Sequence, residues 1–312
     1  MANWYIKVSS AWKQVNQAFF KSSSAWKEIQ EGYIKESGVW KNFYTAFVAT
    51  GFTTQTSNTT VTVPDGANAI HVQAAVGGGS GGVQGADYDK AGGESAGAGG
   101  ASGGYVSDEV YSVTEGETLT LTIGAAGAAS TGANAYNQTA GNGGNTVLSG
   151  STTGAIFTLT GGTGGSGLNG GVQGPLRTNN PSVAGTATVN ATPLTSGSFR
   201  ESDGTSVTFA SATTLDNGPV GTFNQSGNGT AGTNPGNCSG DNCQIDGGAG
   251  GSSYAGNIAG GTAGDTSAGS GGGSGSRGSG AGGGGAQVPG GFSTAGGSGG
   301  AGEIKFRFLR VN

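Results

Sequence analysis

Apolar and polar residues alternate in short bursts along this 312-residue chain, and each burst predicts a β-strand. Residues 59–63 end at a Pro64-Asp65-Gly66 turn, and residues 69–76 place Ile70, Val72, Ala74 and Val76 on one face. Residues 104–113 lead through the turn Thr114-Glu115-Gly116-Glu117 into 118–123, where Leu119, Leu121 and Ile123 alternate with threonine. Residues 145–148, 155–160 and 206–210 are shorter candidates. The last burst, 303–311, puts Ile304, Phe306 and Phe308 on one face and Lys305, Arg307, Leu309 and Val311 on the other. Left unpaired, it would be a bare sheet edge. The fold class this predicts is mainly β.

Ahead of these strands, residues 5–46 hold an internal repeat. Tyr5-Ile6-Lys7-Val8-Ser9-Ser10-Ala11-Trp12-Lys13 returns as Phe19-Phe20-Lys21-Ser22-Ser23-Ser24-Ala25-Trp26-Lys27 and again as Tyr33-Ile34-Lys35-Glu36-Ser37-Gly38-Val39-Trp40-Lys41, an unbroken period of 14 that Phe47 continues. Each unit reads as a strand, a Ser/Gly turn, a second strand and a polar turn, the pattern of a β-meander. A heptad helix also divides this period, but the turn punctuation and the aromatic and β-branched residues favour strands. Trp12, Trp26 and Trp40 are expected to pack on one another as the core of a small module, with a sugar-stacking platform as the alternative. Lys13, Lys27 and Lys41 beside them are expected to form a solvated face.

Composition changes the picture after residue 76, where most of the 70 glycines lie. Glycine is ordinarily about 7% of a protein and loses the most conformational entropy on folding. Disordered spacers are one explanation, and polyglycine-II-like helices packed side by side are another. Collagen is excluded, because Gly282 to Gly285 are four in a row and no strict Gly-X-Y period exists. Between residues 246 and 302 isolated anchors occur, Tyr254, Ile258, Val288-Pro289 and Phe292, for which a flexible linker has no use. The tract must also return the chain so that 303–311 can join a sheet, which favours an ordered tract.

Two resemblances follow from these motifs. The N-terminal units resemble the short Tyr/Val-x-Lys-x-Ser-Gly-x-Trp-Lys repeats of tail and fibre-associated proteins of tailed bacteriophages. The order downstream is a strand ending in Val-Pro-x-Gly, a strand running into a glycine tract, Gly-Gly-Tyr-x-Ser before another strand, Val-Thr-x-Gly-Glu-Thr-Leu-Thr-Leu-Thr-Ile-Gly, and a terminal Gly-Gly-x-Gly-Gly-x-Gly-x-Ile-x-Phe. It resembles the glycine-rich domain common in phage tail proteins, which implies a β-sandwich whose long glycine-rich excursions gather at one end. How those excursions are arranged is not something spacing decides.

Charge and chemistry narrow the function. A net charge of −5 with 10% charged residues lacks the basic stripe of a nucleic-acid binder. The N-terminus has no signal-peptide pattern, and no apolar stretch approaches the roughly 18 residues of a membrane span, so cytosolic synthesis without membrane insertion is expected. His71 is the sole histidine and is expected to be solvent-facing or hydrogen-bonded in a strand, which argues against nucleophilic catalysis. The carboxylates Asp87/Asp89 and Glu201/Asp203 read as loop solvation, Asp241 and Asp246 lack calcium-loop spacing, and Cys238 and Cys243 are too few for zinc. No enzyme activity, cofactor or metal is expected.

The reading is a structural virion protein of a phage tail or fibre, with residues 1–48 as an attachment module of three repeats and 49–312 as a glycine-rich β-domain. Trp12, Trp26, Trp40, Lys13, Lys27 and Lys41 are the candidates for docking on other virion proteins. Tyr88, Tyr136, Arg177, Tyr254 and Arg277, with Asp87, Lys90, Phe199 and Arg200, are the candidates for contact with a host-surface receptor. A homo-oligomer is compatible with this reading. The alternative is a minor tail, neck or capsid component that binds no receptor.

Overall fold

A computed structural model of the chain describes residues 5–8, 11–14, 18–22, 24–29, 31–45, 47–82, 98–130, 139–164, 182–209, 243–245, 250, 261, 262, 274, 275, 278, 286–288, 292, 293 and 295–312. Each N-terminal repeat closes one antiparallel hairpin: β1 (Tyr5–Val8) with β2 (Ala11–Gln14), β3 (Phe19–Ser22) with β4 (Ala25–Glu28), and β5 (Glu31–Glu36) with β6 (Val39–Thr45). Ser37 and Gly38 turn the third hairpin with φ of 51° and 85°, the left-handed pair whose twist suits a two-residue loop. The hairpins are three separate two-stranded sheets and not one meander. Ser-Ser or Ser-Gly pairs able to take such a turn occur only inside the units, so each unit closes on itself.

Beyond them lie β7 (Thr53–Gln55), β8 (Thr59–Thr62), β9 (Ala69–Val76), β10 (Tyr105–Ser112), β11 (Thr118–Thr122), β12 (Thr146–Gly150), β13 (Gly154–Leu159), β14 (Ala187–Val189), β15 (Gly197–Arg200), β16 (Ser206–Phe209), β17 (Cys243–Ile245), β18 (Ala286–Val288), β19 (Phe292–Ser293) and β20 (Glu303–Leu309). Two antiparallel sheets, ordered β10-β9-β20-β7 and β14-β13-β12-β11-β8, form a sandwich. Its core takes Ile70, Val72, Tyr111, Ile304, Phe306 and Phe308 from the first sheet and Leu119, Leu121, Leu148 and Phe157 from the second. Tyr111 and Phe157 meet across the layers with ring centroids 6.1 Å apart. The outer face of the four-stranded sheet is covered by the β15-β16 hairpin, whose Phe199 and Phe209 pack on Ala69, Val110 and Leu309. β17, β18 and β19 form a small third sheet that begins at Cys243; Cys238 lies outside the described residues.

The alternation of 303–311 is realised, with Ile304, Phe306 and Phe308 in the main core and Leu309 in the second cluster. β20 is not an edge, since it lies between β9 and β7. The expected face of β9 is corrected by a bulge. The β20–β9 register shifts between Lys305 and Phe306, which leaves Gln73 as an extra residue, so Ala75 joins Ile70 and Val72 in the core in place of Ala74. Asp108, with φ of 51°, lies across from Gln73 and makes the matching switch in β10, where Val106 before it and Tyr111 after it share the core.

Candidate functional site

At one end of the sandwich the strands do not stop at turns. β9 runs on into 77–82, β11 into 123–130 and β13 into 160–164, while 98–104, 139–145, 182–186 and 295–302 feed into β10, β12, β14 and β20. Hydrogen bonds continue the sheet registers into these extensions: Gly77 and Ser80 donate to the carbonyls of Gly104 and Ala101, Gly79 and Gly82 to those of Gly300 and Gly297, and Gly144 and Gly141 to those of Ala125 and Ala128.

Sandwich layers packed through side chains lie about 10 Å apart, too far for backbone bonds between them. Here there are almost no side chains, and the layers bond directly. Gly78 and Gly81 donate across to Gly144 and Gly141 at 2.9 and 3.0 Å, and Gly162 and Gly127 donate back to Gly78 and Gly79. Successive amides from Gly77 to Gly82 therefore visit three neighbouring segments in rotation and return to the first at every third residue. Three residues per turn with no internal bond is the geometry of the polyproline-II helix, here in its polyglycine form. A Cβ added at Gly78 would stand inside the contact distance of the Ala125 carbonyl oxygen and 2.9 Å from the Gly144 nitrogen, so no other residue fits. Small polar side chains fill the remaining gaps: Ser80 Oγ accepts from the Ala101 amide and donates to the Thr163 carbonyl, and Ser182 Oγ donates to Gly99.

The described segments end at residues 82, 130 and 164 and begin again at 98, 139 and 182, in each case at the end of the bundle away from the sandwich. Of the predicted receptor contacts, Tyr88 (with Asp87 and Lys90), Tyr136 and Arg177 fall between these ends in sequence, and all lie outside the described residues, as do Tyr254 and Arg277. Gly275 and Gly278, flanking Arg277, are bonded to Ser298 and Gly103 along the bundle. One of the expected contacts is corrected: Phe199 is 2% exposed, because alternation in β15 turns it inward against Phe209. Arg200 is half-buried and donates to the Gly204 carbonyl in its own hairpin turn.

In the repeats, the registers pair Lys7 with Trp12, Lys21 with Trp26 and Lys35 with Trp40. Lys13, Lys27 and Lys41 are instead paired with Ile6, Phe20 and Ile34, which in the third hairpin sets Lys41 on the other face from Trp40. Trp40 is 65% exposed under the Lys35 ammonium, 5.9 Å from its ring, and Lys41 is exposed beside Glu36. This corrects the expected core of stacked tryptophans at Trp40 alone, since the side chains of Trp12 and Trp26 lie outside the described ones.

One polar cluster had no place in the sequence reading. Arg307 Nη1 donates to both oxygens of Glu201 at 2.9 and 3.0 Å, Arg307 Nε donates to His71 Nδ1 at 3.2 Å, and His71 Nε2 faces Asp108 Oδ1 at 3.5 Å. Phe52 and Phe199 flank the guanidinium at 4.4 and 5.1 Å. His71 is fully buried with Nδ1 occupied by Arg307, and Arg307 in turn ties the β15-β16 hairpin to the sheet through Glu201. Its signal was available: His71 and Arg307 interrupt apolar strands at positions that become register partners. Nearby, burial and then the Asp108 charge push the Glu109 carboxyl above its ordinary range. Asp203, read as loop solvation, is exposed and accepts from the Thr205 amide. Asp87, Asp89, Asp241 and Asp246 lie outside the described residues.

The described residues form a β-sandwich whose strands become packed polyglycine-II helices at one end. A family model described as a glycine-rich domain matches residues 53–309, most of the chain, and the protein belongs to that family. No curated protein is significantly similar to it.

Proposed function

We propose that this protein is a structural component of a tailed-phage tail or fibre, and that its glycine bundle is a receptor-recognising tip for host attachment. The observation that supports this reading is that the described segment ends at residues 82, 98, 130, 139, 164 and 182 gather at one end of a hydrogen-bonded bundle. A scaffold that fixes the roots of several loops lowers the ordering cost of binding, and large side chains such as Tyr88, Tyr136 and Arg177 supply the area that glycine lacks. The repeats at residues 1–48 attach the protein to other virion proteins, which leaves the bundle distal. The resemblance of both segments to phage tail proteins points the same way.

Two measurements test this. Antibodies against the chain should label tails or fibres of intact particles, and purified protein should compete with phage for adsorption to host cells. Tyr88→Ala, Tyr136→Ala and Arg177→Ala should each weaken that competition by about tenfold or more if they are binding hot spots. Purified protein that neither binds cells nor blocks infection, together with labelling of neck or capsid, would replace this reading by a minor structural role.

A further inference from the structure

The three hairpins are unfinished. An isolated two-stranded hairpin is at best marginally stable in water, and among the described residues these have no third strand and no shared sheet. Phe19, Phe20, Tyr33, Ile34, Val39 and Trp40 are 48–65% exposed. Apolar residues occupy both faces: the register sets Trp40 against Lys35 on one, and Ile34 against Lys41 with Val39 against Glu36 on the other. A flat partner surface covers only one face of such a ribbon. Like ribbons that interleave cover both.

In addition to the proposed docking on other virion proteins, we infer that residues 5–45 are a homotypic assembly segment that associates with the same segment in another copy of this chain. The repeat selects that partner. Whatever covers one hairpin must present the same cover twice more at the same 14-residue spacing, and a second copy does so by construction. Charge separates this contact from its rivals. Residues 1–48 hold six lysines and three glutamates, a net +3, while residues 49–312 hold seven Lys and Arg against fifteen Asp and Glu, a net −8. Repeats meeting repeats bring +3 against +3, so added salt strengthens the assembly. Repeats meeting the acidic domain of a neighbour, or any acidic partner, attract, and salt weakens them. This inference does not rest on the proposed recognition role.

All four tryptophans, Trp4, Trp12, Trp26 and Trp40, lie in residues 1–48, so tryptophan emission reports on this segment alone. Sedimentation of the full chain should give a species larger than a monomer, with emission that shifts to the red on dilution as the hairpins separate. The association constant should rise between about 0.01 and 1 M sodium chloride, over which the Debye length falls from about 30 to about 3 Å. Ile34→Ser with Val39→Ser, which leaves the Ser37-Gly38 turn intact, should lower that constant by at least about tenfold. A chain lacking residues 1–45 should be monomeric with the melting of its glycine-rich domain unchanged, which keeps the test independent of how the variant hairpin folds. A full chain that stays monomeric with water-exposed emission, association that survives removal of 1–45, or association that weakens with salt would each overturn the inference.

Discussion

Replacing Gly81 by alanine tests the glycine bundle at its centre. The new Cβ would stand inside the contact distance of the Ala128 carbonyl and 2.8 Å from the Ala129 nitrogen, both backbone groups that cannot swing aside. Ordinary Cβ contacts begin near 3.4 Å, so the 123–130 segment must recoil by roughly an ångström. That recoil strains three bonds, Gly141 to Ala128, Gly127 to Gly79 and Ser130 to Gly82. At about 1 kcal/mol net each, and up to about 2 where the buried group finds no new partner, the loss is about 3–6 kcal/mol. Alanine restricts the unfolded chain and returns about 0.4–1 kcal/mol, leaving a net loss of about 2–5 kcal/mol.

Gly51→Ala is the matched control. A Cβ there meets nothing within 4 Å and the residue has no left-handed φ, so only the favourable unfolded-state effect remains. At about 2–4 °C per kcal/mol for a domain of this size, Gly81→Ala should melt roughly 5–20 °C below wild type, and Gly51→Ala at or slightly above it. Far-ultraviolet circular dichroism melts at one protein concentration measure both. If Gly81→Ala melts within about two degrees of Gly51→Ala, the segments are not packed backbone to backbone and the bundle is refuted.

Other expectations follow from single groups. Glu201→Gln should cost about 2 kcal/mol, because it strips the charge partner from the nearly buried Arg307; hydrogen exchange should quicken in 197–209 and not in 118–122, and uniform quickening would deny the clamp. Burial alone would raise the pKa of Glu117, but the Thr153 hydroxyl and the amides of Thr114, Thr153 and Thr152 outweigh it and hold the carboxyl below its ordinary 4.5. A lowered folded pKa means these bonds stabilise the protein above that value and are lost as pH falls through the lowered one. Glu117→Gln should therefore be less stable than wild type by about 1–2 kcal/mol at neutral pH, with the gap closing in acid; a gap independent of pH would contradict the assignment. Leu121→Ala, with a fully buried side chain between the layers, should cost about 2–5 kcal/mol in denaturant titration, and less than 1 kcal/mol would place it outside the core.

The sandwich was legible because its strands obey a period of two. Residues 69–76, 118–123 and 303–311 were located by alternation alone, and only the bulge at Gln73 escaped, since nothing local distinguishes Gln73 from its neighbours until β20 sets the register. Short partners such as β7 and β14 escaped too, because three residues give no period to read. The hairpins were legible as strands but not as separate sheets: pattern decides whether a strand forms, and not whether its neighbour in sequence pairs with it. Phe199 was misjudged for a related reason, as an aromatic among Gly and Ser looks like a displayed side chain until β16 is found opposite.

The glycine tracts carried more information than their composition suggested, because in a three-residue-per-turn lattice the spacing of small residues reports how many neighbours a segment has. Segment 123–130 lies at the rim, and its buried positions are Gly124, Gly127 and Ser130, every third residue, with Ala125, Ala126 and Ala128 exposed. Segments 77–82 and 98–104 are buried at every position and accordingly contain nothing larger than serine. A strict Gly-X-Y period is the signature of three chains around one axis, so its absence excluded collagen but said nothing against a lattice in which inner helices need small residues throughout and rim helices need them on one side. The same rule explains why Tyr88, Tyr136 and Arg177 fall between the tracts, in segments 83–97, 131–138 and 165–181. A large side chain is incompatible with the lattice, so such residues are kept out of segments 77–82, 98–104 and 123–130.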